Sequence, residues 1–149
     1  MTSGISFLRP PDLHAAVPYA YAAVTDAGRL LFTAGACPLD TEGSTVAIGN
    51  VAGQARQVMA NLVAVLEAGG AHLTDVVKTT VYVASGNRSD LVAAWEVIRA
   101  AFGDHDAPST LLGVAVLGYP DQLVEVEAVA VCDGRRESDP PQGASTVAP

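Results

Sequence analysis

Two glutamates, Glu125 and Glu127, stand two residues apart in the otherwise apolar run Leu123–Val131. Alternate residues of a strand share a face, so these two carboxylates would point the same way, about 6.5–7 Å apart. Moving a carboxylate out of water is costly unless it gains a partner. The face that carries them therefore meets water or a partner subunit, or one of the two carboxylates works in a site. The pattern alone leaves these alternatives open.

No other group of side chains in the sequence has the spacing of a known kind of site. His14, His72 and His105 share no metal-ligand spacing, so we expect no metal. Gly49 and Gly53 are not followed by Gly-Lys-Ser or Gly-Lys-Thr, so we expect no phosphate-binding loop. The sequence also contains no nucleophile elbow.

The elements that must position the two glutamates follow from hydrophobic periodicity. Apolar residues recur at helical spacing in Val51–Ala68, with Asn50 as the N-cap and Gly69 as the stop. A second helical stripe carries Trp95 as an expected core residue and ends at Gly103. Strands are predicted at Tyr19–Val24, Leu30–Ala34, Val76–Val83, Thr110–Leu117 and Leu123–Val131.

The order β-β-α-β-α-β-β predicts an α+β domain in which two helices lie on one face of a mixed sheet. We expect Tyr19–Val24 to pair with Leu30–Ala34, and Thr110–Leu117 to form a hairpin with Leu123–Val131. Two helices cannot cover both faces of such a sheet. The opposite face would therefore stay apolar and exposed, and oligomerisation is the physical remedy.

Composition and charge set further limits on the class of protein. The chain has 149 residues, half of them hydrophobic, which predicts one domain over residues 1–132 and a disordered tail over 133–149. A net charge of −8 argues against nucleic-acid binding. No apolar stretch reaches the ~18 residues of a membrane span, and no secretion signal is seen, so we expect a cytoplasmic protein. Cys37 and Cys132 are then expected to be reduced thiols.

Six short motifs follow one another along residues 10–132. They are Pro18-Tyr19, Phe32-Thr33-Ala34-Gly35, Val77–Val83, Pro108-Ser109-Thr110, Gly113–Leu117 and Val124–Ala130. In this order they resemble the Rid family, the YjgF-type reactive-intermediate deaminases also called the L-PSP family. The resemblance implies a chorismate-mutase-like fold, a homotrimer whose three sheets pack into a barrel, and small-molecule ligands in the clefts between subunits.

The activity that the resemblance implies is hydrolysis of imines or enamines to a ketone and ammonia, without a metal or cofactor. A protonated C=N is already electrophilic, so the enzyme mainly positions and activates a water molecule. By resemblance, Glu127 is the catalytic carboxylate that holds this water and accepts its proton. Gly35 and Cys37 form the neighbouring substrate-binding loop, and Tyr19 forms the pocket wall.

Ser109 is a departure from the family pattern, because the deaminating members carry an arginine there that grips the substrate carboxylate. Serine offers one neutral hydrogen bond, and the lost interaction is worth on the order of 1.5–3 kcal/mol. We therefore expect reduced activity on amino-acid-derived imines.

Three functions follow as alternatives. The first is an imine or enamine hydrolase that acts on a different small molecule, such as an uncharged one. The second is a non-catalytic trimer that binds small ligands or regulates a partner. The third is a pathway enzyme that reuses the cleft for another acid–base step. A basic residue that reaches the cleft from elsewhere, for instance Arg29 or Arg88, would favour the first.

Overall fold

A four-stranded mixed sheet and two helices form most of the structure, a computed structural model that describes residues 4–26 and 28–132. The strands are β1 (Ile5–Leu8), β2 (Ala22–Thr25), β3 (Arg29–Phe32), β4 (Val76–Val83), β5 (Ser109–Gly113) and β6 (Val124–Cys132). The helices are α1 (Val51–Ala68) and α2 (Arg88–Phe102), with a short 3-10 helix at Leu73–Asp75. The predicted α+β architecture is confirmed, and the predicted tail, residues 133–149, lies outside the described residues.

Helix α1 begins and ends where its local signals predict. The Asn50 side chain accepts a hydrogen bond of 2.8 Å from the backbone N–H of Gly53, and the helix stops before Gly69. Leu62 and Leu66 are fully buried against the sheet. Within the described part of the chain, no helix has the length and apolarity that crossing a membrane requires.

The strand order of the main sheet is β3-β6-β4-β5, and it differs from the predicted hairpin. β5 pairs with β4 in parallel, because α2 returns the chain to the same end of the sheet. Residues 114–123 then carry the chain to the other side of β4, where β6 runs antiparallel to both β4 and β3. The predicted pairing of Thr110–Leu117 with Leu123–Val131 is therefore wrong, although both segments contain strands.

The N-terminal segment contains a strand, Ile5–Leu8, that is not among the predicted strands. It pairs antiparallel with Ala22–Thr25 in a small two-stranded sheet. The predicted pairing of Tyr19–Val24 with Leu30–Ala34 is wrong, because β2 and β3 belong to different sheets. β3 instead pairs with β6, which lets Leu31 pack against the main core.

The two faces of the main sheet have different surroundings. Val124, Val126 and Ala128 of β6 are buried beneath the helices. Their neighbours on β6 project from the other face, which neither α1 nor α2 covers; we call it the open face. On its β3 edge, Leu30 is 53% exposed and Phe32 is 71% exposed. The open face is therefore apolar and exposed along this edge, as expected for a sheet that two helices cover on one face only.

Candidate functional site

The carboxylate of Glu125 lies directly over the backbone of Gly35. The chain leaves β3 at this point and bridges to β6 through Ala36 and Val126. A Cβ atom at position 35 would stand 1.7 Å from Glu125 Oε1, so only glycine leaves room for the carboxylate in this position. The glycine therefore allows the carboxylate to approach the backbone closely.

Gln122 holds the Glu125 carboxylate in one orientation. Its Nε2 donates to Glu125 Oε2 at 3.0 Å and to the carbonyl of Val124 at 3.2 Å. Its Oε1 accepts from the backbone N–H of Tyr119 at 3.0 Å. The side chain is buried, at 4% exposure, and each polar atom has a partner. Glu125 Oε2 is thus engaged, and Oε1 is the oxygen placed over Gly35.

Cys37 completes this group of residues. Its Sγ donates to the Gly35 carbonyl at 3.5 Å. Burial raises the pKa of the Cys37 thiol, and the negative charge of Glu125 raises it further. The thiol therefore stays protonated near neutral pH and acts as a weak donor beside the carboxylate, not as a nucleophile.

Helix α1 fixes both loops that frame Glu125. The Asn61 amide donates to the carbonyls of Cys37, at 2.8 Å, and Leu39, at 2.9 Å. About two turns earlier on the helix lies the fully buried Gln54. Its side chain donates to the carbonyl of Asp121 at 2.8 Å and accepts from the backbone N–H of Leu123 at 2.7 Å. Because these bonds satisfy loop backbone groups, the two loops are held relative to one rigid element.

Glu127 has different partners on the same face. Its Oε1 accepts a 2.8 Å hydrogen bond from the Tyr82 hydroxyl, and this bond raises the pKa of Tyr82. Glu127 also lines a cavity of about 220 Å³ together with Phe32, Lys78 and Thr80. The carboxylate that the structure places against Gly35 and Cys37 is therefore that of Glu125, whereas the resemblance assigned that place to Glu127.

A second and larger cavity, of about 510 Å³, lies at the edge of β5 beside α2. It contains two of the residues that the sequence selected, Tyr19 and Ser109, and we call it the edge cavity. Its lining residues are Pro18, Tyr19, Trp95, Ser109, Thr110 and Leu111. Trp95 was expected in the core and is instead half-buried in the cavity wall.

Tyr19 is positioned by contacts on both sides. The backbone N–H of the next residue, Ala20, donates to the carbonyl of Asp106 at 3.1 Å, which joins this segment to the start of β5. The Tyr21 ring meets the Tyr19 ring edge-on, with centroids 6.0 Å apart. These contacts bring Tyr19 to the same cavity as Ser109.

The Glu125 group and the edge cavity lie apart within one chain. Ser109 pairs with Thr79, which in turn lies opposite Ala128, so Ser109 shares the helix-covered face. Glu125 is on the open face, three residues further along β6 from Ala128. The offset is therefore about 10 Å along the strands and two strand spacings, about 9–10 Å, across them. One small ligand cannot touch both groups in a single chain.

Comparison with known proteins shows the relatives of this chain. The family model described as endoribonuclease L-PSP matches residues 11–132. This chain belongs to the Rid family. A RutC family protein of Pyrococcus horikoshii is 37% identical over 110 residues, which cover 74% of this chain and 85% of the relative. A protein of Salmonella typhimurium named 2-iminobutanoate/2-iminopropanoate deaminase is 36% identical over 113 residues, 74% of this chain and 86% of that protein.

The fold is also that of the Rid family. The crystal structure of a Rid family protein of unknown function from Yersinia pestis superposes with a TM-score of 0.80 at 31% identity, and covers 86% of this chain and 98% of its own. A putative endoribonuclease of Thermotoga maritima superposes with a TM-score of 0.64 at 37% identity, over 80% and 91% of the two chains.

Two functional candidates of this Rid protein escaped sequence reasoning. Gln122 sits in a loop, and no local pattern marks a loop amide as the partner of a carboxylate three residues later. Trp95 follows the same helical stripe as core residues, so periodicity assigned it to the core. Arg29 and Arg88, which we considered as substitutes for the family arginine, are exposed and line neither cavity.

The adjacency of Cys37 and Glu125 predicts the reactivity of the thiol. We expect Glu125→Gln to lower the pKa of Cys37, because it removes the negative charge while leaving burial in place. More thiolate at neutral pH gives faster alkylation by iodoacetamide, measured by mass spectrometry of the intact protein. Glu127→Gln is the matched control and should leave the rate unchanged. The buried Cys132 serves as an internal reference. Equal rates in the two variants would refute the adjacency.

Proposed function

We propose that this Rid protein hydrolyses a small imine or enamine to a carbonyl compound and ammonia. The observation that carries the proposal is the Glu125 carboxylate, fixed by Gln122 over the backbone of Gly35. The Salmonella relative named as an imine deaminase supports the reaction class. The net charge of −8 disfavours RNA as the substrate, despite the endoribonuclease label of the family model.

Glu125 would act as the general base. With Oε2 engaged by Gln122, Oε1 accepts a proton from water as the water oxygen attacks the C=N carbon. The same carboxyl group then returns the proton to the nitrogen of the carbinolamine. As the C–N bond breaks, its electron pair leaves with ammonia, the C=O bond forms, and the hydroxyl proton passes to the Glu125 carboxylate and on to solvent. For a protonated imine the reaction therefore balances as iminium plus water to ketone, ammonia and one proton. We assign this role to Glu125 and not to Glu127 because the Glu125 carboxylate lies over Gly35 and beside Cys37, the two loop residues that the resemblance assigned to substrate binding.

We also propose that the working unit is a homotrimer in which the edge cavity of one copy meets the Glu125 group of the next. The motive is that the two groups leave the sheet on opposite faces and cannot converge in one chain. The exposed apolar surface of the open face supplies a reason for copies to associate. A closed cyclic assembly would bury this surface and create one such site at each interface.

The direct test of the reaction is to incubate the purified protein with imines generated by an amino-acid oxidase or an amine oxidase. Ketone and ammonia release are then followed against the uncatalysed rate. Catalysed release that depends on Glu125 is the expected result. No acceleration with any charged or neutral imine, from protein shown to be folded and assembled, would refute the proposal and leave the ligand-binding alternative.

The assembly has its own test at Phe32. Phe32→Glu places a charge on the open face, at a side chain that is 71% exposed in the single chain. We expect sedimentation velocity to show a trimer for the unmodified protein and smaller species for the variant, because burying an unpaired carboxylate is costly. Val65→Glu, at an exposed position on α1, is the control and should stay trimeric. A wild-type protein that sediments as a stable folded monomer at micromolar concentration would contradict the prediction.

A further inference from the structure

The edge cavity has an apolar and aromatic lining. Pro18, Tyr19, Trp95 and Leu111 contribute rings and aliphatic carbon, and the volume of about 510 Å³ lies in the range that holds small organic ligands. Tyr19 and Trp95 come from separate parts of the chain, so the pair offers two aromatic surfaces to one ligand. Such a lining favours a flat apolar body over a small polar one.

The edge cavity offers no cation for a ligand carboxylate. No Lys, Arg or His is among the described residues that line it. Arg9 donates to the carbonyl of Val17, the residue before Pro18 of the lining, at 3.3 Å, and its guanidinium is paired with Asp106 at 2.5 Å. Lys78 lies on the open face, where its Nζ donates to the Thr110 hydroxyl at 2.6 Å. A carboxylate bound in this cavity would therefore lose water without gaining a free counter-charge.

The hydroxyl of Ser109 is also unavailable to an anion. It donates to the carbonyl of Ala107 at 3.0 Å and shares a hydrogen bond of 2.5 Å with the Thr79 hydroxyl. Both bonds stay within the protein, so the residue at the family's arginine position turns its only polar atom away from a ligand. The substitution thus removes the charge and does not replace it with a neutral donor.

The hydroxyl of Thr110 is not available to a ligand in the edge cavity either. Thr110 pairs with Thr80, which lies opposite Glu127, so its side chain is on the open face and not on the face of Ser109. On that face its hydroxyl accepts a 2.6 Å hydrogen bond from Lys78 Nζ. The edge cavity therefore offers a ligand mainly apolar and aromatic surface.

From these contacts we infer that the edge cavity selects uncharged aryl imines, whose ring lies against Trp95 and Tyr19. The inference rests on the proposed imine hydrolysis for its reaction, but its claim about the cavity concerns binding alone. A matched pair of ligands tests it. Acetophenone is the ketone product of such a substrate, and phenylglyoxylate is the same molecule with a carboxylate in place of the methyl group.

Trp95 allows a direct binding measurement, because it is the only tryptophan of the chain. Its emission is titrated with acetophenone and with phenylglyoxylate in the full-length, assembled protein. We expect acetophenone to bind at least about tenfold more tightly than phenylglyoxylate. The carboxylate of phenylglyoxylate would lose its water on binding, and no counter-charge in the cavity offsets that cost in free energy. Equal or tighter binding of phenylglyoxylate, or no change in emission with either, would overturn the inference.

The matching substrates separate this inference from the proposed reaction. Acetophenone imine is generated from 1-phenylethylamine by an amine oxidase, and 2-imino-2-phenylacetate from phenylglycine by an amino-acid oxidase. We expect kcat/KM to favour the neutral imine by about tenfold or more. If acetophenone binds preferentially but neither imine is hydrolysed, the cavity inference stands and the proposed reaction falls. If the charged imine is hydrolysed faster, the reaction stands and the cavity inference falls.

Variants of the cavity wall give a third measurement. Trp95→Leu should lower kcat/KM for acetophenone imine by about tenfold and should lower that for 2-iminopropanoate, which has no ring, by less. Trp95→Phe keeps an aromatic surface and should retain most of the preference. Equal losses on both substrates in a folded Trp95→Leu protein would show that Trp95 does not contact the ring.

Discussion

Glu125→Gln is expected to lower kcat/KM for imine hydrolysis by at least about a hundredfold, the contribution of a well-placed general base. The amide keeps the shape of the carboxylate and can still meet Gln122, but it cannot take a proton from water. The bound substrate makes the same contacts with the edge cavity in both proteins. The loss should therefore appear mainly in kcat, measured by ammonia release under substrate saturation.

Glu127→Gln is the matched comparison, because both glutamates lie on the same face of β6 and both are replaced by glutamine. We expect a loss of about tenfold or less, since the Glu127 carboxylate accepts from Tyr82 and its effect on Glu125 is indirect. Thermal denaturation of both variants tests whether the fold is kept. If Glu127→Gln causes the larger loss, Glu127 is the catalytic residue, as the resemblance implies, and Glu125 is a structural neighbour.

Ser109→Arg is expected to raise kcat/KM on 2-iminopropanoate by about ten- to a hundredfold. The wild-type cavity offers this substrate no counter-charge, whereas a guanidinium can bind its carboxylate through two parallel hydrogen bonds. The gain corresponds to the roughly 1.5–3 kcal/mol of a charge-assisted interaction. The cavity of about 510 Å³ beside position 109 leaves space for the longer side chain.

Two further substitutions at the same position separate charge from volume. Ser109→Met adds length without charge and should give no gain on 2-iminopropanoate. Ser109→Lys adds a point charge without the planar fork and should give a smaller gain than arginine. An unchanged KM for Ser109→Arg, in a protein of unaltered stability, would show that the new side chain does not reach the substrate carboxylate. High wild-type turnover of 2-iminopropanoate would contradict the charge argument from the start.

Local signals in the sequence predicted the helices better than the strand pairing. Asn50 and Gly69 mark the ends of α1 because caps act within a few residues. The predicted hairpin between β5 and β6 is wrong, because the pairing of strands depends on the packing of the whole domain and not on local sequence. A loop over residues 114–123 is long enough either to turn back or to cross β4, and only the packing of α2 decides between them.

The arrangement of the candidate site could not be predicted from the sequence for the same reason. The resemblance selected Tyr19 and Ser109 as substrate-binding residues, and in the structure both line the edge cavity. Periodicity could not choose between Glu125 and Glu127, because residues two apart on a strand have the same face and the same pattern. The choice depends on the bridge of Ala36 to Val126 and on the Gln122 amide, and both are contacts between distant or irregular segments.

The separation of Glu125 from the edge cavity has a genetic consequence. If neighbouring copies complete each site, a chain that lacks Glu125 and a chain that lacks a working edge cavity are inactive alone but complement each other when co-expressed. Every mixed trimer has one interface at which an intact cavity faces an intact carboxylate. Mutations in the two groups therefore belong to different complementation classes, and a heterozygous cell could keep activity that neither allele encodes by itself.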